Sequence, residues 1–93
     1  MVVLDTNVII EKLRSSKQIN ENITEVTVLE YLPIVSYTKF YGRIHFIQRE
    51  DIILAFELQV KLRRKGKPKG VSDLLIFAIC INYTLKYSSH VLE

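Results

Sequence analysis

The chain has 93 residues, 48% of them hydrophobic and 25% charged, with a formal net charge of +3. These proportions exclude a disordered chain, and the length allows one domain at most, whose core is marginal without a partner because a domain of this size buries only about 60–65% of its unfolded-chain surface. No apolar run approaches the ~18 uncharged residues of a membrane-spanning helix, the start Met1-Val2-Val3-Leu4-Asp5 lacks the positive region of a signal peptide, and the single cysteine, Cys80, excludes an internal disulfide and points to a reducing, cytoplasmic compartment.

Val2-Val3-Leu4 is a short apolar run that does not alternate, the pattern of a strand covered on both faces in a parallel sheet. Asp5-Thr6-Asn7 supplies cap residues, and Val8, Ile9, Ile10 and Leu13 then mark an amphipathic helix of about two turns. Residues 15–22 are polar and read as a loop. Residues 23–26 fit a short strand. Thr27-Val28-Leu29-Glu30 has the form of a capping box, and Val28, Leu29, Leu32 and Val35 suit a helix that Pro33 interrupts.

Ile44-His45-Phe46-Ile47 is a further strand. The clearest helix covers residues 51–64, with acidic residues at its start, cations at its end and Gly66 as its stop. After the turn Lys67-Pro68-Lys69-Gly70, Ser72 caps a helix from Asp73 to about Tyr83 whose apolar residues face nearly every direction, as in a buried helix. Ser88-Ser89 reads as a loop and His90-Val91-Leu92 as a last strand. Strands alternating with helices predict an α/β domain with a parallel sheet, and an end inside a strand suggests that the natural domain continues.

Three carboxylates each begin a helix beside an apolar segment. Asp5 follows a strand, where sites form in open α/β sheets, and also suits a helix cap. Glu30 is equally the reciprocal half of a capping box, and Asp73 complements a helix dipole. Taken together, the three suit a hard divalent cation such as Mg²⁺ or Mn²⁺, which prefers oxygen ligands and whose charge offsets their mutual repulsion.

Lys61, Arg63, Arg64, Lys65, Lys67 and Lys69 form a basic run, read either as a solvated helix end or as a contact for RNA phosphates. Tyr31, Tyr37, Tyr41, Tyr83 and Tyr87 suit core or interface positions better than stacking on unpaired bases. His45 and His90 have no partner at zinc-ligand spacing, and Cys80 reads as an inert core thiol. No glycine-rich phosphate loop or Gly-x-Ser-x-Gly elbow occurs.

The segment from Val3 to Ile10, Val-Leu-Asp-Thr-Asn-Val-Ile-Ile, resembles the opening strand and turn of PIN-domain nucleases, many of them VapC-type toxins of toxin–antitoxin systems. Thr27-Val28-Leu29-Glu30-Tyr31 resembles the second element of that family. Gly70-Val71-Ser72-Asp73-Leu74-Leu75-Ile76-Phe77-Ala78 resembles the third.

The resemblance implies a three-layer α/β/α domain, single over residues 1–93 and lacking its last elements. It implies a Mg²⁺- or Mn²⁺-dependent endoribonuclease in which Asp5, Glu30 and Asp73 are metal ligands and catalytic groups, with Asn7 and Thr27 orienting them. It further implies an RNA substrate and an antitoxin protein as partner. A homodimer is expected separately, because a core this small should expose apolar surface from the Phe40, Tyr41 and Ile47 region or from a broken sheet edge, and the lack of a long apolar run predicts no membrane association. The family's fourth acidic or amide position lies in a segment that should begin where this chain stops, at His90-Val91-Leu92-Glu93, with Glu93 too early to fill it, which leaves open a different reading as an inactive PIN-like module for protein binding or dimerisation. A phosphoryl-transfer domain with Asp5 as nucleophile is disfavoured because the position two residues on is Asn7.

Overall fold

In the first half of the chain the backbone finds its hydrogen-bond partners through parallel pairing. The structure is a computed structural model that describes residues 3–91, with side chains through residue 86. It is a mixed α/β chain, mostly helical, and no helix among the described residues is long and apolar enough to cross a membrane. The chain divides into two units, Met1–Phe46 and Ile47–Glu93.

In the first unit, β1 (Ile23–Thr24) pairs in parallel with β2 (Ile44–His45), Ile23 opposite Ile44 and Thr24 opposite His45. Single parallel bridges extend the pattern, from Ile19 to Phe40 and from Val3 to Asn22. The Asn22 carbonyl accepts from Leu4 N at 3.0 Å and Ile23 N donates to the Arg43 carbonyl at 2.9 Å. Those two groups are the ends of one trans peptide and point in opposite directions, so segment 19–24 lies between the other two. Parallel neighbours require crossovers. The first contains α1 (Thr6–Arg14), and the second contains α2 (Glu25–Glu30) with a 3-10 turn (Leu32–Ser36).

Ile9, Ile19, Ile23 and Ile34 form the buried core of this unit, with Leu4, Leu13, Val28 and Ile44 against them. Each fully buried isoleucine contributes roughly 1.5–3 kcal/mol.

Several expectations are corrected here. Residues 15–22 are not simply a loop: the isolated Ile19 is fully buried and bridges to Phe40, because one apolar residue in a polar run suffices where the backbone pairs in parallel. Of the opening strand, Val3 contributes a single bridge, and Val2 lies outside the described residues. The helix expected after Thr27 begins earlier, at Glu25, because Thr24 is its cap and its hydroxyl accepts from Thr27 N at 3.5 Å. Leu29, Leu32 and Val35 are exposed, and the inward positions are Val26, Thr27 and Ile34. The strand at residues 44–47 is two residues long.

The turn after α1 is closed by Lys17 N donating to the Lys12 carbonyl at 2.9 Å and Ser16 N to the Leu13 carbonyl at 3.1 Å, the paired bonds of a Schellman motif. Ser16 has φ of +54°, a conformation glycine usually supplies. Two bonds from later in the chain hold it there, Tyr37 Oη to the Lys17 carbonyl at 2.5 Å and Lys39 Nζ to the Ser16 carbonyl at 2.9 Å. Tyr37 is thus a structural residue, half-buried against the core.

The second unit is a hairpin of two antiparallel helices, α3 (Arg49–Arg64) and α4 (Val71–Val91). Ala55, Leu74 and Ala78 are buried between them, flanked by Leu54, Leu58, Leu62 and Leu75. Asp51, 3% exposed, accepts from Gln48 N at 2.8 Å and from Asn82 Nδ2 at 2.8 Å, so one carboxylate both caps α3 and ties it to α4. At the other end, Lys67 N to the Leu62 carbonyl at 2.8 Å and Gly66 N to the Arg63 carbonyl at 3.0 Å complete a second Schellman motif, with Gly66 at φ of +70° as the expected stop.

α4 differs from expectation at both ends. It begins at Val71, ahead of the proposed Ser72 cap, and it continues through residues 88–91, where a loop and a strand were expected. No glycine or proline follows Gly70, so nothing in the backbone stops the helix, and continuing it adds a hydrogen bond per residue. Leu92 lies outside the described residues. The helix is not buried all round: Val71, Phe77 and Leu85 are exposed because α4 packs on α3 along one stripe.

Gly42 sits opposite Glu21, between the paired segments, and a Cβ there meets the Glu21 carbonyl oxygen at 1.9 Å. Gly42→Ala therefore forces the two segments apart and is expected to cost about 1–3 kcal/mol in chemical denaturation. A variant as stable as the parent contradicts this pairing.

Burial first, and then the positive charge of Arg43, hold the His45 imidazole below its ordinary pKa. The folded chain prefers the neutral ring, while the unfolded chain takes up a proton near pH ~6.5. This contribution to stability is complete above that value and is lost as pH falls through it towards the folded pKa. The loss between pH 7.5 and 5.5, read by denaturation, should be smaller in His45→Gln than in the parent.

Candidate functional site

Asp5 is the N-cap of α1, its Oδ1 accepting from Val8 N at 3.0 Å. Its structural reading is therefore correct, which leaves the second carboxylate oxygen to account for. Thr6, the first residue of α1, turns its hydroxyl towards α2 and donates to Glu30 Oε1 at 2.7 Å. The same Thr6 oxygen lies 3.2 Å from the hydroxyl oxygen of Thr27. A hydroxyl has one proton to give, and Thr6 gives it to a carboxylate, which only accepts when ionised. Thr27 is consequently the donor of the second bond. The chain runs from Thr27, fully buried, through half-buried Thr6 to the exposed Glu30 carboxylate.

Glu30 is not the reciprocal half of a capping box, since α2 is capped by Thr24 and Glu30 is its last residue. Its position is set from α1. Thr27 and Glu30 are three residues apart on one face of α2, and Thr6 meets both. Asp5, adjacent to Thr6, shares this edge of the unit. Asp5 and Glu30 each have one oxygen committed to a hydrogen bond, leaving Asp5 Oδ2 and Glu30 Oε2 without a hydrogen bond among the described residues. An all-oxygen donor set of this kind suits a hard cation rather than zinc. Asn7 is exposed on the first turn of α1.

Asp73 belongs to the second unit, exposed on the first turn of α4. Within either unit, among the described residues, no three His, Cys, Asp or Glu side chains are gathered to hold a metal ion.

Asp73 lines a cavity of about 490 Å³ at the turn end of the α3–α4 hairpin. Leu58, Leu62 and Leu74 are its apolar floor, with Phe77 beside them and Lys61, Lys65 and Lys69 around it. The turn is held in place by Gln59, whose Nε2 donates to the Lys69 carbonyl at 2.7 Å while its Oε1 accepts from Lys69 N at 3.1 Å. Lys61, Arg63, Arg64, Lys65, Lys67 and Lys69 are all exposed, and among the described residues none forms an ion pair with a carboxylate. Burial pushes the Cys80 thiol above its ordinary pKa, in keeping with an unreactive side chain.

Thr6, Asn82 and Phe77 are absent from the sequence-based set. Thr6 has partners 21 and 24 residues away and Asn82 has one 31 residues away, so no local signal marks them. Phe77 lies four residues after Asp73, a spacing that puts both on one helix face, and this was legible.

No family model, curated protein or solved structure matches the chain.

The direction of the hydrogen-bond chain makes a testable distinction. Thr6→Val leaves the fully buried Thr27 hydroxyl without its acceptor and is expected to cost about 1–3 kcal/mol. Thr27→Val removes the buried group itself and should cost less, although Thr27 is the more buried residue. The double variant should be more stable than the sum of the single losses requires, as read in a double-mutant cycle. Additive effects contradict the chain.

Proposed function

We propose that the chain is a PIN-like, metal-dependent endoribonuclease with a three-layer α/β/α fold, acting as the toxin of a toxin–antitoxin pair in the cytoplasm. One observation carries this reading: Thr6, held by the buried Thr27, directs the Glu30 carboxylate to the edge where Asp5 begins α1. A surface glutamate in a merely solvated role has no need of a hydrogen-bond chain rooted in the core. The resemblance of the three motifs to PIN-domain nucleases adds Asp73 as the third carboxylate, and Asn7 as a further orienting group.

In this reading Asp5 and Glu30 hold Mg²⁺ or Mn²⁺. The bound ion would neutralise charge on a phosphate and lower the pKa of its water. The residues of the chain then have distinct tasks. Asp5 caps α1 with one oxygen and offers the other as ligand, Thr6 fixes the rotamer of Glu30, and the exposed cations of residues 61–69 attract the RNA backbone. RNA is the substrate, and a homodimer and an antitoxin protein are the partners.

A second reading, a protein-binding or dimerisation module without activity, is favoured by exposed apolar residues on the first unit. Leu29, Leu32 and Val35 are 66%, 63% and 68% exposed. Large apolar side chains left exposed close together in sequence are a feature that docking surfaces share.

Asp5→Asn separates the two readings. Asparagine caps a helix about as well as aspartate, so unfolding stability should stay within about 0.5 kcal/mol of the parent. Cleavage of single-stranded RNA in Mg²⁺ or Mn²⁺ should be abolished, because a charged ligand is gone. Full cleavage by Asp5→Asn removes Asp5 from the site, and a parent chain that cleaves no RNA with either metal favours the module.

A further inference from the structure

We infer that the cavity at the turn end of the α3–α4 hairpin receives an unpaired base of single-stranded RNA, stacked on Phe77, with the flanking phosphates on Lys61, Lys65 and Lys69. This rests on the reading of RNA as substrate and adds where, and in what form, the strand is held.

Three features of the cavity converge on this ligand. Its floor is apolar, from Leu58, Leu62 and Leu74, and a base buries its faces there at little polar cost. Phe77 is 56% exposed although it lines the cavity, so it is accessible to a planar partner. Stacking on aromatic side chains is how unpaired bases are commonly held, and it tolerates any base. The charges are distributed: Lys61 lies in the last turn of α3, Lys65 caps its end, and Lys69 comes from the turn that Gln59 fixes. A ligand with a single anionic head leaves most of these cations unmatched. A nucleic acid strand carries a phosphate on each side of every base and matches several at once. The run from Lys61 to Lys69 contains no carboxylate to offset it.

The cavity also includes Asp73, one turn before Phe77 on the same helix. A base held on Phe77 therefore brings its own phosphates to the neighbourhood of a carboxylate that the functional reading assigns to the reaction. Duplex RNA cannot offer a base to the ring, so the cavity selects single strands.

The test is binding of a fluorescein-labelled single-stranded RNA of mixed sequence, read by anisotropy in EDTA so that no cleavage occurs. Phe77→Ala should weaken binding about 5- to 140-fold, and Phe77→Tyr should bind as the parent does. Phe77 is largely exposed, so these variants keep the fold, which the circular dichroism melting curve verifies. Lys65→Ala should lower the slope of log affinity against log salt by about 0.7, the value of one phosphate contact on a single strand. Duplex RNA of the same length should bind more weakly and be indifferent to Phe77→Ala.

If Phe77→Leu binds as tightly as the parent, the position requires only an apolar side chain, as an amphipathic protein segment would, and the base pocket is wrong. Unchanged affinity in Phe77→Ala overturns it as well, while leaving metal-dependent cleavage intact. A parent chain that binds no RNA but retains its fold overturns this inference together with the nuclease reading.

Discussion

The hydroxyl of Thr27 is buried completely, and in that position it needs an acceptor. Thr6 provides it from the start of another helix. Much of the first unit follows from this contact. It fixes the start of α1 against α2, it occupies one lone pair of the Thr6 oxygen while the Thr6 proton goes to the carboxylate, and it gives Glu30 a defined partner at the surface. The carboxylate at the end of α2 is thereby held by a bond rooted in the core, while the Asp5 carboxylate is fixed separately, by Val8 N in the cap of α1. Long side chains on a surface otherwise lose rotamer freedom only at a cost of about 1–2 kcal/mol, and the hydrogen bond offsets part of that loss in advance.

The two units solve their backbone accounting in different ways. The first pairs three short parallel segments and relies on close approach, most tightly where Gly42 meets the Glu21 carbonyl. Its turn at Ser16 adopts a left-handed conformation that is unfavourable for serine, and side chains from residues 37 and 39 hold it. The second unit is local by comparison. Small residues, Ala55 and Ala78, let two helices meet, and the buried Asp51 spends its two oxygens on the α3 start and on Asn82. A carboxylate so placed serves structure by its hydrogen bonds, whereas Asp73, exposed on the first turn of α4 beside a cavity lined by Lys61, Lys65 and Lys69, complements the helix dipole and faces solvent.

Helices with a regular apolar face were legible in the sequence. α1 and α3 lie within two residues of where cap chemistry and charge placed them, and Gly66 ends α3 as its position implied. A parallel sheet was legible too, as a mixed α/β chain with parallel pairing. The extent of α4 was not, because His90-Val91-Leu92 has strand-like residues while the absence of a stop signal let the helix continue over residues 88–91. Ile19 was concealed by polar neighbours, since its burial depends on a partner 21 residues away. Of the candidate site, Asp5 and Glu30 were candidates from residue type and order and Thr27 from the family resemblance, while Thr6, which connects the last two, is defined only by long-range bonds.

The most direct test of the claim that Asp5 and Glu30 form a cation site is a Mn²⁺ titration followed by nuclear magnetic resonance, in which the paramagnetic ion broadens nearby amide signals. The account predicts broadening at Asp5, Thr6 and Glu30 at substoichiometric Mn²⁺, reversed by excess Mg²⁺ and weakened in Thr6→Val, where the carboxylate loses its orienting bond. Broadening confined to other carboxylates, such as Glu11 or Glu57, or an equal response in Thr6→Val, would contradict it.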